Sequence, residues 1–234
     1  MKSTLAKSRG RFAVVVASSL IFITGCASMP PKSGFLSDYS QLKLVHDDAV
    51  VWNFMDESGV ARSRDILRLW ANRPDLDEIA GYNGVIVDPF VVRLNKHSAG
   101  NWVSPEKLNE LTKAIEAAFV KSVSACYTIV EQPGEGVARF RTALTDISPL
   151  YVYKSPEDIA ALTWANSRAG GGAFEMEFVD SVSMKQIAAI VGKYRGGSFD
   201  ALDSDIGPWD NALEGAGDFG RFLCARHEAA VASN

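Results

Sequence analysis

The sequence predicts an α+β fold, with a largely antiparallel sheet and two helices packed on one face of it. Three observations predict this class. Val- and Ile-rich stretches with alternating polarity fill the middle of the chain, a long amphipathic helix pattern follows the first of them, and a second helical pattern closes the sequence. The resulting order is strand, helix, two strands, hairpin and helix, and this order is typical of a sheet covered by helices.

The first part of the predicted domain has weak patterns. "AVVWNFMD" alternates apolar side chains and could form a strand, whereas "RSRDILRLW" is compatible with one or two helical turns or with a loop. "YNGVIVDPFVVRL" is rich in β-branched residues and predicts a strand. Pro89 interrupts this strand, which favours a bulge or an unpaired edge at that point.

The clearest helix pattern is "SPEKLNELTKAIEAAFVKSVSAC". Ser104 suits the N-cap, Pro105 suits the first helical position, and Glu106 lies near the positive end of the helix dipole. An apolar stripe at helical spacing follows, made by Leu108, Leu111, Ile115 and Phe119. "YTIVEQPGEG" after it predicts a strand that ends in a Pro-Gly turn.

The next strand is predicted over "VARFRTALTDI". Its alternation places Phe140, Thr142 and Leu144 on one face and Arg139 and Arg141 on the other. "YVYKSPEDIAALTWANSRAGGG" is then expected to be a connection with one short helix after Ser155-Pro156, with its glycines as a hinge.

"AFEMEFVDSVSMKQIAAIVGKY" predicts a hairpin with its turn at "DSVSMK". Glu175 and Glu177 alternate with large apolar residues, so we expect them on a solvated strand face. The closing helix pattern, "GPWDNALEGAGDFGRFLCARHEA", contains Gly215, Gly217 and Gly220. These glycines lower its helix propensity and would let it lie close against a sheet.

Residues 1–25 have the layout of an export signal. The first twelve residues carry four basic side chains and no acid, and residues 12–23 are uncharged. A membrane span needs about 20 apolar residues, so this run is too short to be one. "ITGC" resembles the lipobox of bacterial lipoproteins, in which lipid is attached to the cysteine thiol and the chain is cut just before it. The alternative is an uncleaved anchor or a plain signal peptide.

The lipobox resemblance implies a lipidated Cys26 and a sorting signal at Ala27 and Ser28. An aspartate after the cysteine tends to retain such proteins at the inner membrane, so Ala27 and Ser28 imply the outer membrane, facing the periplasm. We expect residues 26–36 to form a lipidated, flexible tether, because proline and small polar residues dominate it. Residues 37–234 then form a single α+β periplasmic domain.

The charge balance excludes some partners. Removing the signal leaves 20 Lys and Arg against 28 Asp and Glu, a net charge of about −8. A nucleic-acid-binding protein needs a basic surface, so we expect no nucleic-acid partner. The predicted contact with the membrane is through the N-terminal lipid, and there is no electrostatic reason for the folded domain to bind anionic lipid.

Two cysteines remain when Cys26 is assigned to lipid. The periplasm is oxidising, so Cys126 and Cys224 can form a disulfide. Alternatively both are buried, reduced and separate, because the sequence alone does not give the distance between them.

Motifs for catalysis or metal binding are weak. His46, His97 and His227 lie far apart, and none has a second ligand at metal spacing. No serine lies in a G-x-S-x-G turn, and the acidic loop before the last helix lacks the EF-hand spacing. We therefore expect no enzymatic activity, no metal and no cofactor.

Three tryptophans lie in poorly patterned segments. Trp70, Trp102 and Trp164 could be exposed anchors for a protein partner, because tryptophan is enriched at binding hot spots. The alternative is that they fill the ends of the hydrophobic core.

Five motifs in order resemble one family. "SGFLSDYSQL", "YNGVIVDPFVV", "FRTALTDI", "AFEMEFVDS" and "WDNALEGAGDFGRFL" are similar to bacterial lipoproteins of the domain-of-unknown-function family 3313. In one respect the chain departs from that family, whose hairpin tends to have a tight Asp-x-x-Thr-Gly turn where this chain has "DSVSMK". The resemblance implies location and fold, and it implies no catalytic residue.

We therefore expect an outer-membrane-anchored periplasmic lipoprotein that is a non-enzymatic binding or assembly component of the cell envelope, with an envelope protein as its partner. An auxiliary subunit of an envelope transport system is the alternative from another class. A hydrolase of envelope material is the third, and no nucleophile and base can be named for it.

Overall fold

The computed structural model describes residues 28–47, 54–55, 61–62, 66–73, 77–150, 169–196 and 207–233. Strands and helices are numbered in chain order. The strands are β1 Lys43–Asp47, β2 Phe54–Met55, β3 Ala61–Arg62, β4 Ile66–Ala71, β5 Gly84–Val87, β6 Val91–Val92, β7 Thr128–Ile129, β8 Val137–Leu150, β9 Ala169–Asp180 and β10 Gln186–Arg195. The helices are α1 Pro105–Val123 and α2 Asp210–Ser233.

Eight of the described strands form one mixed sheet. Its order is β1-β4-β10-β9-β8-β5-β7, with β6 also paired to β8, and β2 and β3 pair separately. Pairing is antiparallel from β1 through to β8. The pairs β8–β5, β8–β6 and β5–β7 are parallel. The predicted α+β class with a mostly antiparallel sheet is therefore confirmed.

Two predicted elements fall mainly on residues that the structure does not describe. Of the strand expected in "AVVWNFMD", only the part that forms β2 is described. The short helix expected after Ser155-Pro156 lies outside the described residues.

Strand β4 corrects the interpretation of "RSRDILRLW". This stretch was expected as helical turns or a loop, but β4 is an interior strand between β1 and β10. Leu67, Leu69 and Ala71 are buried at alternate positions. The alternating pattern of β4 is short, and Arg68 interrupts the run of apolar residues, so the sequence does not indicate a strand clearly. The Arg68 guanidinium pairs with Asp47 of β1 at 2.8 Å.

The prediction that the glycines before the hairpin form a hinge is wrong, because they belong to β9. Gly171 has a φ of 138°, and a Cβ there would lie 2.3 Å from the carbonyl oxygen of Tyr194 on β10. Glycine is therefore needed at this position for a strand conformation that brings two backbones close together.

Pro89 produces the interruption predicted for "YNGVIVDPFVV". Val87 of β5 pairs with Phe140 of β8, and Val91 of β6 pairs with Ala143 of β8. The chain therefore advances four residues from Val87 to Val91 while β8 advances only three. One extra residue on one strand is the definition of a bulge. Next to it, the backbone N–H of Phe90 donates to the carboxylate of Glu116 on α1 at 2.8 Å. The bulge therefore lies where the sheet is bonded to the first helix.

The sheet has two distinct faces. We call the face that carries Leu69, Phe140, Met176 and Ile190 the first face, because these residues belong to one large buried cluster. The opposite side is the second face, and its apolar cluster consists of Leu36, Trp70, Ala189 and Val191. The alternation of large apolar residues predicted for β8 and β9 is confirmed.

Helix α1 begins as predicted. The Ser104 hydroxyl accepts a hydrogen bond from the Lys107 N–H at 3.3 Å, and Pro105 is the first helical residue. Both features depend on residues within one turn, so the sequence determines this helix start locally.

The apolar stripe of α1 joins the helices to the sheet. Phe119 is buried, and its ring centre lies 5.7 Å from that of Phe219 on α2. It also lies 6.2 Å from the ring centre of Phe140 on β8. Phe119 therefore joins α1, α2 and β8 in one buried cluster.

The predicted hairpin is confirmed, and its turn needs no glycine. The Asp180 carboxylate accepts hydrogen bonds from the N–H and the hydroxyl of Ser183, both at 2.7 Å. Met184 adopts a φ of 57°. That left-handed conformation is rare for residues other than glycine, Asn and Asp. The side-chain bonds of Asp180 therefore hold this turn without a glycine.

Two glycines of α2 allow close contacts. A Cβ at Gly215 would lie 2.3 Å from the ring of Tyr194 on β10, and one at Gly220 would lie 2.4 Å from the Cβ of Ser122 on α1. The expectation that glycines let this helix lie close against the sheet therefore holds for Gly215, whereas Gly220 lies against α1.

Gly220→Ala and Gly217→Ala form a matched pair. Both changes add the same methyl group and the same helix propensity, worth up to about 1 kcal/mol. We expect Gly217→Ala to be neutral or stabilising, because its Cβ would first meet the movable end of the Arg221 side chain, at 3.3 Å. Gly220→Ala should lower the free energy of unfolding by about 1–3 kcal/mol, because the α1–α2 contact has no room for the methyl group. Urea unfolding measures both, and equal effects of the two changes would contradict the packing argument.

Candidate functional site

A buried carboxylate lies at the centre of the second face. Glu175 is in the interior strand β9, between Val191 of β10 and Ala143 of β8. It is 1% exposed. A carboxylate this far from water requires hydrogen-bond donors to compensate for the loss of hydration.

The donors come from the start of the described chain. The Ser33 N–H donates to Oε1 of Glu175 at 2.7 Å, and the Ser33 hydroxyl donates to Oε2 at 2.7 Å. The Tyr39 hydroxyl donates to Oε2 at 2.6 Å, and the Leu36 N–H makes a longer contact at 3.4 Å. Glu175 therefore binds a segment about 140 residues away in sequence.

Apolar contacts hold the same segment. Leu36 is 3% exposed and packs with Trp70, Ala189 and Val191 of the second face. Partly buried side chains extend this contact along the segment at Met29, Phe35, Tyr39 and Leu42. We call residues 29–42 the docked segment.

Tyr39 connects Glu175 to the backbone of the docked segment. Its hydroxyl donates to Glu175 and also accepts from the Gly34 N–H at 2.9 Å and the Leu36 N–H at 3.3 Å. Burial, followed by the hydrogen bond to Glu175 and its negative charge, raises the pKa of Tyr39 above its ordinary value. The phenol therefore stays protonated and remains a donor at neutral pH.

Charged side chains border the docked segment. Glu177 pairs with Arg141 at 2.6 Å and accepts from Gln186 at 3.0 Å. The guanidinium groups of Arg93 and Arg141 lie 5.8 and 6.0 Å from the centre of the Phe35 ring. These cation–π contacts add to the attachment of the segment.

The prediction of a solvated face for Glu175 and Glu177 is wrong. Glu175 is 1% exposed because the docked segment binds it. Glu177 is 9% exposed and bonds to Arg141 and Gln186. One signal in the sequence could have indicated this. The run "IAAIV" of β10 is apolar at successive positions, which is typical of a strand with both faces covered.

The prediction of a flexible tether over residues 26–36 is wrong for most of its described part, because that part packs against the sheet. Pro30 and Leu36 are buried, Met29 packs against the second face, and Ser33 is bonded to Glu175. The packed part of the chain therefore begins several residues before residue 37.

The predicted lipidation and sorting residues lie at the edge of the described chain. Ser28 is exposed. Cys26, Ala27 and the predicted signal lie outside the described residues.

The three tryptophans have different outcomes. Trp70 is 5% exposed, so its prediction as an exposed partner anchor is wrong. The reason is that β4 is an interior strand and the docked segment covers Trp70. Trp102, in a 3-10 turn at residues 99–102, is 91% exposed and stays a candidate for partner binding. Trp164 lies outside the described residues.

Cys126 and Cys224 form a disulfide, with their Cα atoms 5.4 Å apart. Cys126 follows the C-terminus of α1, and Cys224 lies just past the middle of α2, where the two helices are in contact. The alternative, two separate and reduced cysteines, is therefore wrong. The bond links positions 98 residues apart in sequence.

The remaining titratable groups do not converge on one site in the described part of the chain. His46 packs against Phe222 with ring centres 4.9 Å apart, and His97 is exposed. His227 lies 4.5 Å from the Tyr127 ring, and burial lowers its pKa. Within the described ranges, no group of three or more His, Cys, Asp or Glu side chains could hold a metal ion, and no helix is long and apolar enough to span a membrane.

A family model matches most of the chain. Residues 31–223 match the family described as "Protein of unknown function (DUF3313)". No curated protein matches the chain.

The similarities to solved structures are weak. A dodecamer of a PelC variant from Paraburkholderia phytofirmans is 12% identical, with 61% of this chain and 87% of that chain covered and a TM-score of 0.35. A second PelC dodecamer from the same organism is 12% identical, with coverages of 60% and 88% and a TM-score of 0.33. A putative neuraminyllactose-binding hemagglutinin homolog from Helicobacter pylori is 12% identical, with coverages of 63% and 85% and a TM-score of 0.30. These values are too low to transfer a function.

Proposed function

We propose, from the premise that the chain belongs to the DUF3313 family of proteins of unknown function, that it is a lipoprotein anchored in the outer membrane and facing the periplasm. Its role is that of a non-enzymatic binding or assembly component of the cell envelope. The observation that carries this proposal is the docked segment, because it fixes the folded domain directly behind the predicted lipid attachment site. The family itself is the one that the five sequence motifs predicted.

The geometry of the docked segment supports a position close to the membrane. Met29, three residues after Cys26, already packs against the second face. Three residues span at most about 11 Å when fully extended. A lipid on Cys26 would therefore hold the domain at the bilayer surface, and the hydrogen bonds to Glu175 would resist detachment of the segment.

The disulfide supports an exported location. Structural disulfides persist in oxidising compartments such as the periplasm and are rare in the reducing cytosol. Cys126 and Cys224 are bonded, which leaves Cys26 as the remaining cysteine of the chain for lipid.

The finer prediction for the fold, both helices on one face of the sheet, also belongs to this proposal. Its support is that Phe119 of α1 and Phe219 of α2 share a cluster with the first face, whereas the docked segment packs on the second. The first face of the sheet would then form the core with the helices, and the second face would bind the docked segment. Exposed Trp102 is the candidate for contact with an envelope partner.

Cell fractionation tests the proposed location. We expect the wild-type protein in the outer-membrane fraction, labelled by a palmitate analogue. Cys26→Ser should abolish labelling and give unprocessed or soluble protein, because multiple acyl chains supply the anchoring energy of about 0.8 kcal/mol per buried methylene. Ala27→Asp should move the labelled protein toward the inner-membrane fraction.

Two results would overturn this proposal. Labelling of the Cys26→Ser variant would contradict the proposed lipid attachment at Cys26. Wild-type protein found wholly in the inner membrane would contradict the proposed outer-membrane location. Mild crosslinking of the anchored protein, followed by identification of the attached chain, then separates an assembly component from a subunit of a transport system.

A further inference from the structure

An exposed strip of apolar and basic side chains lies along one edge of the sheet. It starts with β6, which pairs with β8, and continues through the following loop to the 3-10 turn at residues 99–102. We call it the edge strip, and its exposed side chains are Val91, Val92, Arg93, Lys96, His97 and Trp102. Three exposed large apolar side chains on one short stretch indicate an interaction surface.

The loop of the edge strip is folded back on itself. The backbone N–H and the side-chain amide of Asn95 both donate to the Thr145 carbonyl of β8, at 2.8 and 3.0 Å. The Asn101 amide donates to the Asn95 carbonyl at 2.9 Å. Trp102 follows directly on this bond, so its exposed ring stands on a fixed support close to the start of the strip.

The edge strip is basic in a chain that is acidic. Residues 89–105 contain Arg93, Lys96 and His97 and no Asp or Glu. The acid just before them, Asp88, is paired with Arg139 at 2.5 Å. The negative net charge of the mature chain argued against contact with anionic lipid, but it is an average over the whole surface. Exposed charges interact over about 8 Å at physiological ionic strength, so the local basic groups decide what the strip attracts.

The edge strip also contacts the docked segment. The Arg93 guanidinium donates to the Gly34 carbonyl at 3.4 Å and lies 5.8 Å from the centre of the Phe35 ring. Gly34 is eight residues after Cys26 in the sequence. The strip therefore lies beside the part of the domain that the proposed lipid would hold at the membrane.

We propose that the edge strip contacts the bilayer, with Arg93 and Lys96 at anionic phospholipid head groups and Trp102 in the interfacial layer. This inference rests on the proposed lipid at Cys26 and adds the surface that the domain turns toward the membrane. Tryptophan is enriched at membrane–water interfaces, and basic residues are attracted to anionic lipid. An envelope protein is the other candidate partner of Trp102, but the basic charge and the contact with the docked segment favour lipid.

Fluorescence quenching by brominated lipid measures this contact. The protein, purified with its N-terminal lipid, is placed in vesicles of phosphatidylethanolamine and phosphatidylglycerol that carry bromine on their acyl chains. We expect stronger quenching of the wild type than of Trp102→Ser, because Trp102 would lie nearest the acyl chains. The side chain is 91% exposed, so this change should leave the melting temperature unchanged.

Lys96→Gln and Lys113→Gln form a matched pair of charge removals. Both lysines are exposed, but Lys113 lies on α1, outside the edge strip. Lys96→Gln should lower the ratio of docked to undocked domain about fivefold, because one basic residue near an anionic surface is worth about 1 kcal/mol. Lys113→Gln should leave the ratio unchanged, and phosphatidylcholine in place of phosphatidylglycerol should remove the difference between the two variants.

Several outcomes separate this inference from the proposed function. If Trp102→Ser leaves the quenching of the lipidated protein unchanged, or if the two lysine variants behave alike, the edge strip does not contact lipid and the anchor still stands. Protein whose mass shows no N-terminal lipid would contradict the proposed function, and this inference with it. A photoreactive amino acid at position 102 then identifies the neighbour in cells: crosslinking to phospholipid supports the inference, and capture of one protein chain in its place overturns it.

Discussion

Replacing both Cys126 and Cys224 by serine should lower the free energy of unfolding by about 4–5 kcal/mol. The bond closes a loop with a sequence separation of 98, and in the chain-entropy model a loop of this length restricts the unfolded chain strongly. This is an upper figure, because residual structure in the unfolded chain reduces it. Domains have a net stability of about 5–15 kcal/mol, so the loss is a large share of the total.

Thermal and urea unfolding measure this effect with and without dithiothreitol. A Cys26→Ser background removes the third thiol, so that only this bond responds to reduction. We expect the reductant to lower the melting temperature of that protein and to leave the triple serine variant unchanged. A melting temperature that is insensitive to reduction, with two alkylated thiols in the unreduced unfolded protein, would show that the bond does not form.

Local sequence signals predicted the elements that depend on neighbouring residues. The Ser104 N-cap, the stripe of α1 and the hairpin from β9 to β10 depend on residues close to one another along the chain. Pro89 likewise determines its bulge locally, because it has no N–H to give to the ladder. In each case propensity and pattern agree with the tertiary structure, and the sequence was sufficient.

The elements that were missed depend on distant residues. Trp70 and Glu175 look like surface residues until the docked segment covers them, and that segment begins on the other side of the predicted tether boundary. Proline and small polar residues indicated a flexible stretch, although Leu36 and Tyr39 within the docked segment supply an apolar anchor and a donor. Composition describes the average of such a stretch, whereas its packing depends on two or three side chains.

The second large effect is expected for Glu175→Gln. The carboxylate accepts from the Ser33 N–H, the Ser33 hydroxyl and the Tyr39 hydroxyl, and the amide nitrogen of glutamine would face at least one of these donors. Hydrogen bonds to a charged group are worth about 1.5–3 kcal/mol each, so losing the two that Oε2 accepts costs about 3–6 kcal/mol. Because the segment can detach without unfolding the sheet, we expect it to open locally.

Hydrogen exchange measures this opening residue by residue. The Leu36 amide should exchange at least about 100-fold faster in Glu175→Gln than in the wild type, because each 1.4 kcal/mol of opening free energy is a factor of ten. Glu177→Gln is the matched control: it lies on the same strand and face, but its partners are Arg141 and Gln186. If both variants released the segment equally, general loss of charge and not the Glu175 contacts would be the cause. If Glu175→Gln left Leu36 protected, apolar packing alone would hold the segment in place.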